Sequence, residues 1–136
     1  MRKYALDSNI LSYLLKGETR ILDRLERESL AGNEIHIPPI VYYEVKRGLL
    51  AINATAKMKL FLGYCPESAV GNMGLSVMDL AADLHVTFRK AGRGADDADI
   101  LIAAFCLAHG YTLVTHNTRH FKGIAGLEIE DWMEGS

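Results

Sequence analysis

The sequence predicts an α/β domain built on a short, mainly parallel central sheet with helices on both faces. Short apolar runs alternate with segments of helical periodicity, which is the pattern of parallel sheets. These runs are continuously apolar, as expected of strands covered on both faces. The length of 136 residues is that of one domain, and we assign residues 1–136 to a single domain.

Six elements are predicted in the first half of the chain. They are a strand over residues 4–6, a helix over 9–15, a helix capped by Thr19 and stopped at Gly32, a strand over 34–37, a helix from Pro39 and a helix over 57–62. Proline suits the first turn of a helix, where its missing N–H would have no partner. The helix after Thr19 has an apolar face that ends at Leu30. The helix after Pro39 has one that runs from Val41 to Ile52.

Two helices and two strands are predicted in the second half. They are a helix from Ser76 that Gly92 ends, a helix over 97–109 that Gly110 stops, a strand over 112–115 and a strand over 127–130. Ser76 and Asp79 resemble a capping box. The helix over 97–109 is apolar nearly all round, which is typical of a buried helix. Residues 65–75 contain a proline and two glycines, and we expect only a weak strand around Val70.

Composition excludes several classes of protein. The 15 basic and 17 acidic side chains give a net charge of −2, which excludes a protein that coats DNA but not a nuclease with carboxylates at its centre. No apolar run is long enough for a transmembrane helix. Polar residues 7–9 interrupt the N-terminal apolar stretch, so we expect no secretory leader, a cytoplasmic location and no membrane partner. Two cysteines are too few for a disulfide framework or a zinc site, and Cys106 is expected in the core.

An acidic residue directly follows the first predicted strand. Asp7 contributes nothing to packing there, but it suits a strand end that opens onto a site, because sites in parallel sheets lie beyond the carboxyl ends of the strands. The alternative is that residues 7–9 cap the next helix. The residues alone leave both interpretations open.

A second acid, Glu44, lies in the helix after Pro39 and flanks its apolar stripe rather than opposing it. Gly48, four residues on, leaves open space over that face. The alternative is an exposed glutamate that pairs with Lys46 or Arg47.

Three acids crowd the start of the predicted buried helix. One acid suffices as a cap, and Asp96 fits that role, whereas Asp99 stands at the mouth of the core and is poorly explained by capping. Carboxylates this close repel each other unless a cation is nearby, and a divalent metal relieves that repulsion. Asn117 follows the next strand, where its amide could hold a metal-bound water or simply form a turn.

Taken together, Asp7, Glu44 and Asp99 stand on three separate elements. Their hard carboxylate oxygens, without a cluster of cysteine or histidine, suit Mg²⁺ or Mn²⁺ rather than zinc. The residues therefore predict a metal centre made of acids.

Four segments, in this order and spacing, resemble the PIN-domain ribonucleases, most closely the VapC-type toxins of bacterial toxin–antitoxin pairs. They are residues 4–12, 37–49, 97–104 and 113–121, and the tail over 126–132 also fits. Each segment is weak evidence alone. Four together, over nearly the whole chain, identify it as similar to that family.

The resemblance implies roles for individual residues. The matches to the family's three catalytic, metal-binding acids are Asp7, Glu44 and Asp99. Asp97 matches an extra acid of some members, and Asn117 stands where many members have a fourth acid, so both are further candidate ligands. We expect Ser8 and Thr115 to support the ligands through hydrogen bonds. Residues 65–75 depart from the family's usual strand, so we expect a poor or missing edge strand.

The activity that the resemblance implies is that of a Mg²⁺-dependent endoribonuclease, with Mn²⁺ as the alternative ion. Water activated by the metal would attack phosphorus in line and leave a 3′-hydroxyl and a 5′-phosphate. Single-stranded or loop RNA is the expected substrate because its bases are accessible. Lys46, Arg47 and Arg119 are candidate RNA contacts, with solvated surface as the alternative.

The resemblance also implies partners. A cognate small antitoxin would lie over the active-site groove, and one of its Arg or Lys side chains would pair with the acids at the floor. An apolar antitoxin helix could cover the surface near Tyr42, Tyr43 and Leu50. A homodimer through helices of the first half is expected.

Other functions compete with this hypothesis. A metal-free ribonuclease could use His116 and His120 as acid and base, but it leaves Glu44 and Asp99 unexplained. A non-catalytic or free-standing PIN-like protein that binds or processes RNA without an antitoxin is the alternative from another class. A phosphatase is weaker, because Asn9 stands where the aspartyl-phosphate pattern has a second Asp.

Overall fold

Four strands and seven helices make up the described part of the chain. The computed structural model describes residues 1–134, and the last two residues of the predicted domain, 135 and 136, lie outside the described residues. The strands are β1 (Lys3–Leu6), β2 (Glu34–His36), β3 (Thr112–Val114) and β4 (Ile129–Glu130). The helices are α1 (Ser8–Leu15), α2 (Thr19–Leu30), α3 (Pro39–Ala51), α4 (Thr55–Tyr64), α5 (Leu75–Lys90), α6 (Asp97–His109) and α7 (Thr118–Phe121).

All four strands run parallel in one sheet of order β2-β1-β3-β4, flanked by the helices. The predicted α/β class with a parallel sheet is confirmed. The register places Leu6 of β1 opposite Val114 of β3. The residues that follow these two strands therefore meet at the carboxyl edge of the sheet, where sites of parallel sheets lie.

The core lies around β1, β3 and α6. The Tyr4 ring meets the Trp132 ring edge-on at 5.3 Å between centroids, and Phe105 of α6 stacks on Tyr111 at 5.2 Å. Cys65 and Cys106 are buried free thiols, as predicted for Cys106, and burial raises the pKa of Cys65 to about 11. None of the helices within residues 1–134 has the length and apolar character that a membrane crossing requires.

Several predicted helix ends are wrong. Glu18, not Thr19, precedes α2, and its side chain makes no capping bond. Helix α5 begins at Leu75 after Gly74, one residue before Ser76, so the predicted capping box does not form. The apolar faces also end early. Leu30 is 81% exposed and Ile52 is 71% exposed, because the one closes α2 and the other follows α3, beyond the packed part of each helix.

The edge of the sheet beside β2 carries no regular strand in the described chain. Val70 makes an isolated parallel bridge with Ile37, supported by bonds from Ile37 N to Ala69 O at 2.9 Å and from Gly71 N to Ile37 O at 3.1 Å. This agrees with the weak strand expected within residues 65–75. Gly71 is required there, since a Cβ atom would lie 2.4 Å from the Phe105 ring.

Candidate active site

Asp7 occupies the carboxyl end of β1 and performs two structural tasks at once. It precedes α1 and its Oδ1 accepts a bond from Ser8 N at 2.8 Å, so the capping interpretation is confirmed. Its Oδ2 accepts a 2.7 Å bond from Thr115 Oγ1 and a longer one of 3.4 Å from Asn9 Nδ2. Asp7 is 4% exposed and Thr115 is fully buried. Two oxygens held this way keep the carboxylate fixed at the sheet edge.

The negative charge of Asp7 acts on two other acids, Glu44 of α3 and Asp99 of α6. Burial, and then the charge of Asp7, raise the pKa of Glu44 against the opposing charge of Arg47. Burial also raises the pKa of Asp99, and the negative charge of Asp7 adds to that rise. The His120 ring lies against Asp99, with Nδ1 3.0 Å from Oδ2, and favours its charged form. The fold thus gathers three acids from three elements into one mutually repelling group.

The further candidates occupy different positions. Asp96 precedes α6 without a side-chain capping bond, and its charge also raises the pKa of Glu44 and Asp99. Asp97 is exposed in the first turn of α6. Asn117 precedes α7, its side chain is exposed, and its N–H donates to Thr115 Oγ1 at 3.0 Å. Capping therefore does not explain the side chain of Asp96.

Two grooves lead away from these acids. The first lies between α1 and α3 and holds about 270 Å³. Its lining includes Ser8, Ser12, Lys16, Glu44, Gly48 and Lys57. The second lies beside the start of α6 and holds about 560 Å³. Its lining includes Arg93, Asp96, Asp99, Arg119 and His120. Basic side chains thus lie in both grooves beside the acids, two lysines in the first and two arginines in the second, an arrangement that suits a polyanion.

The predicted RNA contacts divide between two settings. Arg119 lines the second groove beside Asp99. Lys46 lies over the Tyr42 ring at 5.3 Å and Arg47 over the Tyr43 ring at 5.0 Å. Neither lines the groove at Glu44.

Sequence reasoning missed Lys16 and Lys57, the cations of the groove between α1 and α3. It named His120 as a candidate acid or base but did not predict that this ring contacts Asp99. A signal for Lys16 exists, since it lies eight residues after Ser8, on the same helical face. Nothing in the local sequence indicates that α4 would bring Lys57 to this groove.

A further cluster lies where the loop after β3 meets the C-terminal tail. Among the described residues, the one group of three potential metal-binding side chains with ligand atoms all within 4.8 Å of one another is His116, Asp131 and Glu134. His116 Nδ1 lies 2.9 Å from Asp131 Oδ2, and Asp131 Oδ1 accepts from Met133 N at 2.9 Å. Hydrogen bonds to His116 and to Met133 N thus account for Asp131. The three predicted ligands at the sheet edge are spaced more widely than this cluster.

Comparison with known families decides the identity of this fold. The PIN domain model matches residues 4–127, which is most of the chain. The chain belongs to the PIN-domain family. That result confirms the resemblance seen in the four sequence segments.

The PIN domain has similar relatives along its full length. Ribonuclease VapC1 of Haemophilus influenzae strain R2866 is 26% identical over 134 residues, which cover 95% of this chain and 97% of the relative. The tRNA(fMet)-specific endonuclease VapC of Shigella flexneri is 23% identical over 135 residues, 97% of this chain and 99% of the relative. A solved complex, VapBC2 of Rickettsia felis bound to a DNA fragment from its promoter, contains a chain with a TM-score of 0.85, 27% identity and coverage of 96% and 98%. The DNA-bound VapBC of Salmonella typhimurium, at 22% identity and a TM-score of 0.86 over 97% and 99% of the two chains, supports the fold.

Membership of the PIN-domain ribonucleases implies dependence on a divalent metal, and the acids at the sheet edge fit such an ion. Glu44 and Asp99 have raised pKa values because they are partly buried near other negative charges. Within residues 1–134, neither Asp7 nor Glu44 forms an ion pair with a basic side chain. A cation supplied from outside would therefore relieve a repulsion that the chain itself leaves uncompensated.

Proposed function

We propose that this PIN domain is a Mg²⁺-dependent endoribonuclease and the toxin of a toxin–antitoxin pair. The observation that carries the proposal is the meeting of Asp7, Glu44 and Asp99 at the carboxyl edge of a sheet whose family match spans residues 4–127. Its relatives over the full chain length are named VapC ribonucleases. Hard carboxylate oxygens favour Mg²⁺, with Mn²⁺ as the alternative.

Asp7, Glu44 and Asp99 are the proposed metal ligands, with Asp97 and Asn117 as outer candidates. A divalent ion held there would supply an activated water at neutral pH and would neutralise charge on the scissile phosphate. Thr115 holds one oxygen of Asp7 and Ser8 N holds the other, so the carboxylate keeps one orientation through the reaction. The His120 ring does the same for Asp99.

The proposed substrate is single-stranded or loop RNA, cleaved to a 3′-hydroxyl and a 5′-phosphate. Arg119 stands beside Asp99 in the second groove, where it can contact a phosphate of the strand. Lys46 and Arg47 are partly exposed beside tyrosine rings and would contact more distant phosphates. We propose that the protein acts on RNA in the cytoplasm.

The proposed partner is a small antitoxin. Structural neighbours include VapBC toxin–antitoxin complexes. The acidic floor would accept an antitoxin Arg or Lys, and Tyr43 and Leu50, 55% and 61% exposed, offer apolar surface for an antitoxin helix. A separate apolar cleft of about 580 Å³ between α1 and α2 offers a second such surface. A homodimer through helices of the first half remains part of this proposal.

Cleavage assays test the enzyme. Single-stranded RNA should be cut with Mg²⁺ or Mn²⁺ and left intact in excess EDTA. Asp7→Asn should remove activity, whereas Asp23→Asn, the same change at an exposed site on α2, should keep it. Full activity in EDTA would favour the metal-free histidine mechanism instead.

Growth assays test the toxin. Expression of the chain alone should arrest growth, and Asp7→Asn should be harmless. A small neighbouring open reading frame should rescue growth and its product should co-purify with the chain. If cells tolerate the active nuclease without any partner, the toxin proposal fails and a free-standing RNA-processing enzyme remains.

A further inference from the structure

The groove between α1 and α3 begins at the active-site acids and ends at two lysines. Ser8, Ser12 and Lys16 follow one another at four-residue spacing and form one wall. Glu44 and Gly48, again four residues apart, lie on the facing wall on α3, and Lys57 of α4 closes the far end. The rest of the lining is apolar and consists of Leu15, Val45, Leu49 and Ile52. The groove therefore changes from acidic at Glu44 to cationic over about two helical turns.

The two lysines are free to bind an anion. Both are exposed, and within the described chain no acidic group lies within 4.0 Å of either ammonium. Lys46, on the same helix as Glu44, differs because its ammonium bonds to Tyr42 Oη at 3.2 Å. The unpaired positive charge of this groove is thus concentrated at Lys16 and Lys57.

A glycine keeps the middle of the groove open. Gly48 lies inside α3, where glycine is the poorest helix former after proline. A Cβ atom at this position would meet nothing within 4 Å, so packing against a neighbour does not require the missing side chain. The open space between Glu44 and the lysines is the structural result of having glycine there.

We propose that this groove binds the nucleotide next to the scissile phosphate of a single RNA strand. The two serine hydroxyls would bond to its sugar or base, and Lys16 and Lys57 would hold the following phosphate. The inference rests on the proposed ribonuclease function, because it uses Glu44 as the end of the groove that faces the reaction. The volume of about 270 Å³ lies near the lower limit of small-molecule pockets, which suits one unstacked nucleotide.

Charge favours RNA over the antitoxin as the occupant. An antitoxin side chain that binds the acidic floor is itself basic, and the two lysines would repel it. A phosphate is attracted by the lysines and is kept from Glu44 by the length of the groove. In this arrangement the reacting phosphate lies at the acids, and the neighbouring phosphate of the same RNA strand lies at the lysines.

Salt-dependent binding tests the lysines. Wild-type protein is mixed with a fluorescent single-stranded RNA oligonucleotide of mixed sequence in EDTA, and Kd is measured by anisotropy over a range of salt. Removing two phosphate contacts with Lys16→Ala/Lys57→Ala should lower the slope of log K against log salt by about 1.4, at roughly 0.7 per contact with a single strand. The control Lys59→Ala/Lys90→Ala removes the same charge from exposed helix positions and should leave the slope nearly unchanged.

A larger side chain at Gly48 tests whether RNA binding needs the open space in the groove. Gly48→Leu should weaken RNA binding about tenfold and slow cleavage in Mg²⁺. Gly63→Leu is the matched control, since Gly63 is also helical and also has nothing within 4 Å of a built Cβ, and it should behave as wild type. Thermal melting of each variant identifies folding defects, and the exposed lysine pair keeps the test decisive if Gly48→Leu does not fold.

The possible results separate the two proposals. If wild type neither binds nor cuts RNA, the proposed function itself fails. If wild type does both and the lysine pair behaves as its control, the groove inference is overturned while the nuclease stands. If Gly48→Leu leaves RNA binding intact but prevents antitoxin co-purification, the groove belongs to the antitoxin and the inference is likewise overturned.

Discussion

Two groups of acidic side chains in this molecule differ in their pairing with basic side chains and in the direction in which their pKa values are shifted. Around Arg24, Glu28 accepts a 2.6 Å bond from the guanidinium and a 2.8 Å bond from Asn33, and Glu130 accepts a 2.8 Å bond from the same guanidinium. The bond from Arg24 lowers the pKa of Glu28. At the sheet edge, Glu44 has a raised pKa because it is buried beside Asp7.

We infer that the difference separates acids that stabilise the fold from acids that bind a ligand. A partly buried carboxylate without a cationic partner costs stability. The fold places Arg24 beside Glu28, so a basic partner for a buried acid is within its reach. At the sheet edge, in contrast, neither Asp7 nor Glu44 has an ion-pair partner among residues 1–134, and only the His120 ring lies against Asp99. We take that contrast as the physical sign of a site for an external cation.

The largest expected effect is on catalysis. Asp99→Asn should lower the rate of RNA cleavage on the order of 100-fold or more, because a proposed metal ligand is lost. Glu28→Gln, which removes a buried charge from the Arg24 group, should leave the rate of the folded protein within about twofold. Single-turnover cleavage of a labelled RNA measures both, and equal losses in the two variants would remove the distinction between the groups.

For stability, the larger loss is expected in the Arg24 group and not at the sheet edge. Glu28→Gln should lower the free energy of unfolding by about 2 kcal/mol, since it breaks a charged hydrogen bond and leaves Arg24 without its partner. Glu44→Gln should abolish cleavage yet leave stability unchanged or raised in metal-free buffer, because like charges are relieved. Urea denaturation in EDTA compares the two. A clear loss of stability in Glu44→Gln with activity retained would mark Glu44 as structural.

The two groups should also differ in their dependence on pH. A lowered folded-state pKa at Glu28 gives stability that is present above the unfolded value and lost as pH falls through the folded one. Raised values at Glu44 and Asp99 give stability that is present below the unfolded value and lost as pH rises through the folded ones.

Denaturation of the metal-free protein at two pH values measures this difference. Any stability gained by Glu44→Gln should be largest near neutral pH and shrink as pH falls through the raised pKa of Glu44, because the wild-type carboxyl then takes up a proton. The loss in Glu28→Gln should also shrink on acidification, but only below the ordinary carboxyl range. A gain in Glu44→Gln that does not change with pH would show that its cause is not charge.

The smallest effect is expected at the exposed rim of the paired group. Arg2 Nη1 lies 3.6 Å from Glu130, and the Arg2 side chain is 59% exposed. Arg2→Met should therefore change stability by about 0.5 kcal/mol or less, and added salt should remove the difference. A loss as large as that of Glu28→Gln would mean that the whole cluster, and not only its buried bonds, holds the fold.

The sequence predicted most elements because their local signals agree with the packing. Residues 97–109 were bounded correctly, since a helix that is apolar nearly all round ends at Gly110, whose left-handed backbone conformation favours glycine. Periodicity failed at Leu30 and Ile52, because it defines a helical face but not how far the neighbouring elements extend along it. Thr19 and Ser76 failed as caps because a cap depends on where the chain enters the helix, which side-chain type does not determine.

The candidate site was predicted in its acids but not in its surroundings. Asp7 could be recognised because a charge directly after a buried strand is unusual, yet its bond to Thr115 depends on the pairing of β1 with β3. His120 beside Asp99 and Lys57 in the α1–α3 groove arise from packing between distant segments. Such contacts have no local sequence signature. The assignment of these residues to catalysis stays a prediction that the experiments above test.

The pairing of the first strand with a late one also sets when the enzyme can exist. Thr115 and Asp7, which bond directly, are 108 positions apart in the chain, and β1 acquires its β3 neighbour only after Val114 has been synthesised. A nascent chain that has reached α5 carries Asp7 and Glu44 but has yet to make Asp99. Contacts this distant in sequence form late. The active centre proposed for this ribonuclease is therefore absent from a partly synthesised chain, and it can assemble only when synthesis is nearly finished.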